Sequence, residues 1–101
     1  MNVIETISLN DERPAVLQIK NTDKSQVMAI GLKKNQALKK HTTANPALLL
    51  VLKGSVSSEM EDTITQISAF NTFDIPANIF HEVVGVEESI FLLIKEKPGL
   101  F

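Results

Sequence analysis

Residues 41–54 read HTTANPALLLVLKG, from His41 to Gly54. How this stretch folds decides the architecture of the chain. It opens on a histidine among polar residues, passes Asn45-Pro46, and enters an unbroken apolar run from Ala47 to Leu52 that stops at Lys53-Gly54. A run this short, bounded by turn residues, reads as a buried strand. It is apolar on both parities, so both of its faces require cover.

The same texture recurs on either side. Pro14–Lys20 (PAVLQIK) and Gln26–Lys33 (QVMAIGLK) are short, branched-aliphatic segments, and the turn residues NTDKS separate them. Gly54–Met60 (GSVSSEM) and Thr63–Ala69 (TITQISA) flank Glu61-Asp62, the pattern of a hairpin. Asn71–Pro76 (NTFDIP) ends on a proline, His81–Val86 (HEVVGV) follows, and Ser89–Glu96 (SIFLLIKE) is again apolar on both faces. Lys34–His41 (KNQALKKH) is read as a loop, because Asn35 and the lysine pairs bracket it. No window sustains helical periodicity with caps. Short strands at this spacing predict an all-β sandwich or barrel.

At 101 residues the chain is expected to form a single domain, 1–101. A domain of that size buries only about 65% of its unfolded surface, so dimerisation would help it. Apolar residues make up 44%, which excludes a disordered chain. The net charge is -2 with scattered lysines and one arginine, and Trp and Tyr are absent. Neither a basic footprint nor a stacking platform supports nucleic-acid binding. With no cysteine, disulfide, thiolate-metal and thiol-nucleophile chemistry are excluded, which fits a reducing compartment. The opening MNVIETISLNDERP lacks the basic and apolar regions of a signal peptide, and the longest apolar run is too short for a membrane helix. A cytoplasmic protein with no membrane partner is expected.

With these segments in place, the chain resembles the cupins, small jelly-roll barrels also described as a double-stranded β-helix. The first cupin motif, Gly-x5-His-x-His-x3,4-Glu-x6-Gly, falls here on Asn35, His41, Thr43, Ala47 and Gly54. The second, Gly-x5-Pro-x-Gly-x2-His-x3-Asn, falls on Phe70, Pro76, Asn78, His81 and Gly85. The spacing agrees throughout, while identity holds at His41, Gly54, Pro76 and His81 only. The resemblance spans Gln26 to about Lys95. Pro76 suits the end of a strand, and Gly54 suits a hairpin turn with positive φ. Phe70, standing where the family has a glycine, needs an altered turn or an exposed ring.

The resemblance implies metal ligands at His41, Thr43, Ala47 and His81, and two of these are no longer imidazole or carboxylate. Catalytic zinc usually takes three protein ligands and non-haem iron a two-His, one-carboxylate set. His41 and His81 alone therefore imply either no metal or a weakly bound divalent one. Asp74, Glu59 or Glu82 would have to supply a missing carboxylate, and strand alternation turns Glu82 away from His81. Without a metal, His41, Thr43 and His81 form a small polar floor for a ligand, with Leu49, Val51 and Val83 as candidate walls beside Ala47. The competing role of those apolar residues is ordinary core packing. Phe70, Phe73, Phe80 and Phe91 are candidate lining or core in the same sense. The pairs Lys33-Lys34 and Lys39-Lys40 would steer an anion toward His41, or simply solvate a loop.

No residue is assigned as catalytic. The leading expectation is a small-molecule-binding cupin. The competing ones are a metal-dependent cupin enzyme, an oxygenase or isomerase acting on a small organic acid or sugar, and a non-enzymatic dimeric interaction module. An outer face of Leu48, Leu50 and Leu52, or of Phe91 and Leu93, would need cover, from the same chain or from a homodimer partner. The strand around Val16–Ile19 is an edge that can cross to that partner.

Overall fold

The computed structural model describes residues 1–41 and 44–97, with Lys40 and His41 described by their backbone alone. After a one-turn helix α1 (Val3–Thr6) come β1 (Ala15–Asn21), β2 (Ser25–Leu32), β3 (Ala37–His41), β4 (Ala47–Lys53), β5 (Ser55–Met60), β6 (Thr63–Ser68), β7 (Thr72–Ile75), β8 (His81–Gly85) and β9 (Ser89–Glu96). They form a five-stranded sheet in the order β1-β2-β9-β4-β7 and a four-stranded sheet in the order β3-β8-β5-β6. Every pairing is antiparallel.

The core lies between the sheets and follows strand alternation. Ile30 and Leu32 of β2, Leu49 and Val51 of β4, Phe91 and Leu93 of β9 face Val56, Ile67 and Val83 of the other sheet. Each of these nine is less than 5% exposed. The apolar side chains between them, Leu48, Leu50, Leu92 and Ile94, are half-buried on the outer face. Phe91 and Leu93 are therefore core, and the outer row of β9 is Leu92 and Ile94. In a strand apolar on both parities, only the partner strands decide which set points in.

Two further expectations are corrected. Ala37–His41 is a strand, not a loop: β3 pairs with β8 through Ala37↔Val84, Leu38↔Val83 and His41↔His81, with an irregularity between Leu38 and His41. It is an edge strand, where lysines and a bulge are common, and its pairing comes from β8 rather than from local propensity. Gly54 does not close a hairpin, because β4 and β5 belong to different sheets. It turns the corner between them at φ 76°, and a Cβ there would lie 2.2 Å from Glu88 O. β1 pairs with β2, Val16↔Ile30 and Leu17↔Ala29 among others, and stands as expected at the edge of its sheet.

The turns bear out the motif register. Asn35, Phe70 and Asn78 stand at glycine positions of the two motifs and keep positive φ, 69°, 68° and 62°. Phe70 resolves its conflict by exposure: its ring is 82% accessible. Glu61 and Asp62, at φ 48° and 64°, make the expected two-residue hairpin turn between Met60 and Thr63.

The segment before β1 lies on the outer face of the larger sheet. Asn2 Oδ1 accepts from Glu5 N at 3.1 Å and caps α1. Beyond it, Leu9 and Ile7 cover Gly31 so closely that a Cβ there would be 2.4 Å from Leu9 Cδ2. Gln36 Nε2 donates to Asn10 O at 2.7 Å, and Lys33 pairs with Asp11, whose hydrogen bond holds the ammonium pKa above its usual value against some desolvation.

Candidate functional site

His81 opens β8 and alternates with Val83, so both side chains enter the barrel; they are 2% and 0% exposed. The imidazole Nδ1 lies 3.2 Å from Ile79 O. A carbonyl only accepts, so Nδ1 carries the proton and the ring is oriented by its own loop. Across the smaller sheet, His81 is paired with His41 on β3 and with Met60 on β5, and Met60 with Thr63 on β6. The register thus brings the two expected histidines opposite each other on neighbouring strands. Thr43 lies outside the described residues.

One pair deeper runs a second row, Leu38, Val83, Ser58 and Thr65. Ser58 is 1% exposed, and among the described residues its hydroxyl has no hydrogen-bond partner. An unsatisfied buried hydroxyl costs about 1–3 kcal/mol, so its presence needs a reason.

The larger sheet contributes the opposing row at the same end of the barrel. His41 ends β3 just before Ala47 begins β4, and Ile75 ends β7 just before the connection to His81. Ala47 is paired with Ile75 on one side and Lys95 on the other, and Lys95 with Gln26. Lys95 shares the inward parity of Phe91 and Leu93 and is half-buried. No carboxylate among the described residues pairs with it.

The described groups do not make a full ligand set for a divalent metal. Ala47, at the family's carboxylate position, offers a methyl group, and its cross-strand neighbour Lys95 is a cation. The three candidate carboxylates all face outward. Glu59 alternates with the inward Ser58 and Met60 and is paired with Glu82, while Asp74 is paired with the outer Leu48. Among the described residues, no three histidine, cysteine, aspartate or glutamate side chains come together as a metal would need. The buried imidazole of His81 and an ammonium cannot neutralise a doubly charged ion in an apolar barrel.

The expected walls lie below this end. Leu49, Val51 and Val83 have no accessible surface and pack with Phe91, Leu93 and Ile30. The lumen at their depth is filled by side chains. Phe91 is core, Phe73 packs against the core, and Phe80 is 63% exposed outside it. Reading from sequence missed Ser58, Met60 and Lys95. Their only signal was inward parity, which the two-sided apolar strands left open.

No protein-family model and no curated protein sequence matches the chain. Solved structures do. A cupin superfamily protein from Desulfitobacterium hafniense superposes with a TM-score of 0.89 at 14% identity, over 97% of this chain and 90% of that one. An RmlC-like cupin protein from Desulfovibrio desulfuricans gives 0.87 at 17% identity, over 95% and 93%. KdgF from Halomonas sp. gives 0.83 at 14% identity, over 98% and 92%. The chain has the cupin fold, the double-stranded β-helix, and at these identities the likeness carries the fold alone.

Proposed function

We propose that this is a small-molecule-binding cupin-fold protein, with no metal or only a weakly bound divalent one, whose ligand sits against His41, Thr43 and His81 at one end of the barrel. The observation that carries this reading is His81, a polar ring buried inside the barrel, held by Ile79 O and set opposite His41 by the strand register. Leu49, Val51 and Val83 would form the base on which a ligand rests. The test is a thermal-shift screen of small metabolites on the wild type, His41→Ala and His81→Ala. A compound that stabilises the wild type and neither variant supports the site; variants that respond like the wild type remove it.

The same proposal includes a homodimer. Leu48, Leu50, Leu92 and Ile94 leave the outer face of the larger sheet apolar and only half-buried, and a second copy would cover it. No helix among the described residues is long and apolar enough to cross a membrane. A cytoplasmic setting fits a chain without cysteine.

A further inference from the structure

We propose a second binding site, away from the barrel end, that takes a monocarboxylic acid with an apolar body, its carboxylate on Arg13 and its body along Ile7, Val16 and Leu17. This site goes beyond the barrel-end reading and does not depend on it. The N-terminal segment and the start of β1 enclose a cavity of about 490 Å³ that all four residues line. A cavity of that volume is within the range of small-molecule sites. The strand register sets it apart from His81. Ala15 is paired with Gly31 and Gly31 with Ile90, whereas Lys95, at the His81 end, is paired with Gln26 and Gln26 with Asn21. From Gln26 to Gly31 is five residues of β2, roughly 17 Å of strand.

The charge in this cavity is uncompensated. Arg13 is the single arginine of the chain, and among the described residues its guanidinium has no ion pair or hydrogen bond. Asp11 and Glu12 precede it, yet neither lines the cavity, and Asp11 is drawn to Lys33 beyond β2. The neutral polar groups are partly committed. Thr6 Oγ1 donates to Asn2 O at 2.6 Å, and Asn10 Oδ1 accepts from Glu12 N at 2.8 Å. The Ser8 hydroxyl has no partner among the described residues and is a second donor for an anion. The guanidinium fork matches the two oxygens of a carboxylate. One cation with neutral donors balances a single negative charge rather than the two of a phosphate. The apolar wall is equally open. Val16 is paired with the core residue Ile30 but is 61% exposed, because β1 is the edge of a five-stranded sheet that faces one of four strands. An exposed valine is ordinary by itself; here it shares one cavity with an unpaired guanidinium and the half-buried Ile7 and Leu17. Among the described residues, β1 makes backbone hydrogen bonds with β2 alone, so its free edge adds N–H donors beside Arg13.

The probe is octanoate, compared with uncharged octanamide and with acetate, by isothermal titration of the full chain and by heteronuclear NMR at fixed ionic strength. Octanoate should bind and shift the amides of residues 6–17. Octanamide should bind roughly tenfold more weakly, and acetate, which lacks the apolar body, more weakly still. Arg13 and Val16 are exposed, so both can be replaced without disturbing the core. Arg13→Gln should weaken octanoate roughly tenfold and bring it level with octanamide, and Arg13→Lys, which keeps the charge without the fork, should fall between. Val16→Ser should weaken octanoate and octanamide alike, by about threefold. Equal affinity of the wild type and Arg13→Gln for octanoate would reduce the contact to apolar adsorption and overturn the proposal. Amide shifts confined to the barrel end around His81, or no binding at millimolar octanoate, would overturn it as well. None of these results touches the barrel-end reading, which the metabolite screen on His41→Ala and His81→Ala judges on other residues.

Discussion

Phe70→Gly should make this protein more stable, although it deletes a large apolar side chain. The residue occupies a left-handed turn at φ 68°, a region that costs a side chain with a Cβ about 1–2 kcal/mol. Its ring is 82% exposed, so removing it forfeits almost no burial. The backbone contacts of the turn, Phe70 N to Val51 O at 2.6 Å and Val51 N to Asn71 O at 3.1 Å, do not involve the ring and survive the change. Against the relief of strain stands the extra freedom glycine has in the unfolded chain, about 0.5–1 kcal/mol. The net gain is about 0.5–1 kcal/mol, or roughly 2–8 °C in melting temperature for a domain of this size. Urea unfolding at several protein concentrations reads it directly, with Asn35→Gly as a control that should gain less, because asparagine tolerates this conformation better. A midpoint that falls in Phe70→Gly, with the unfolding slope unchanged, would refute the reasoning and show that the exposed ring packs against something. If the loss appears only at high protein concentration, that something is a second copy.

Other expectations follow from the same geometry. Gly54→Ala should destabilise by about 2 kcal/mol or more, since it combines positive φ with a Cβ 2.2 Å from Glu88 O; a loss under about 0.5 kcal/mol in urea unfolding would mean that the corner relaxes freely. Leu49→Ala should cost about 3–5 kcal/mol, because the side chain has no accessible surface; a much smaller cost would indicate an open lumen at that depth. Elemental analysis of protein purified without chelator should find metal below one per chain, and EDTA should leave the melting temperature in place. A tightly held stoichiometric ion would contradict the misfit of Ala47 and Lys95. Light scattering at micromolar concentration should give a dimer mass that Leu50→Glu converts to a monomer; a wild-type monomer would mean that the half-buried outer leucines are covered enough within one chain.

Much of the fold was legible in the sequence. Turn chemistry and short branched-aliphatic runs located eight of the nine strands, and the motif spacing survived even where Asn35, Phe70 and Asn78 replaced glycine, because backbone conformation rather than residue identity is what the turns require. The exception, β3, carries two lysines and no alternation, and only hydrogen bonding to β8 makes it a strand. The sequence also placed His41 and His81 in one register and showed that the second imidazole and the carboxylate were absent. It could not say what stood in their place. A period-two strand that is apolar on both faces does not declare its inner side, so the inward placement of Phe91, Leu93 and Lys95, and the outward placement of Glu59 and Asp74, waited on pairing with distant strands. Ser58 and Lys95 are ordinary polar residues until two sheets close over them; burial and the lack of a partner are properties of the tertiary structure, which strand alternation alone does not supply.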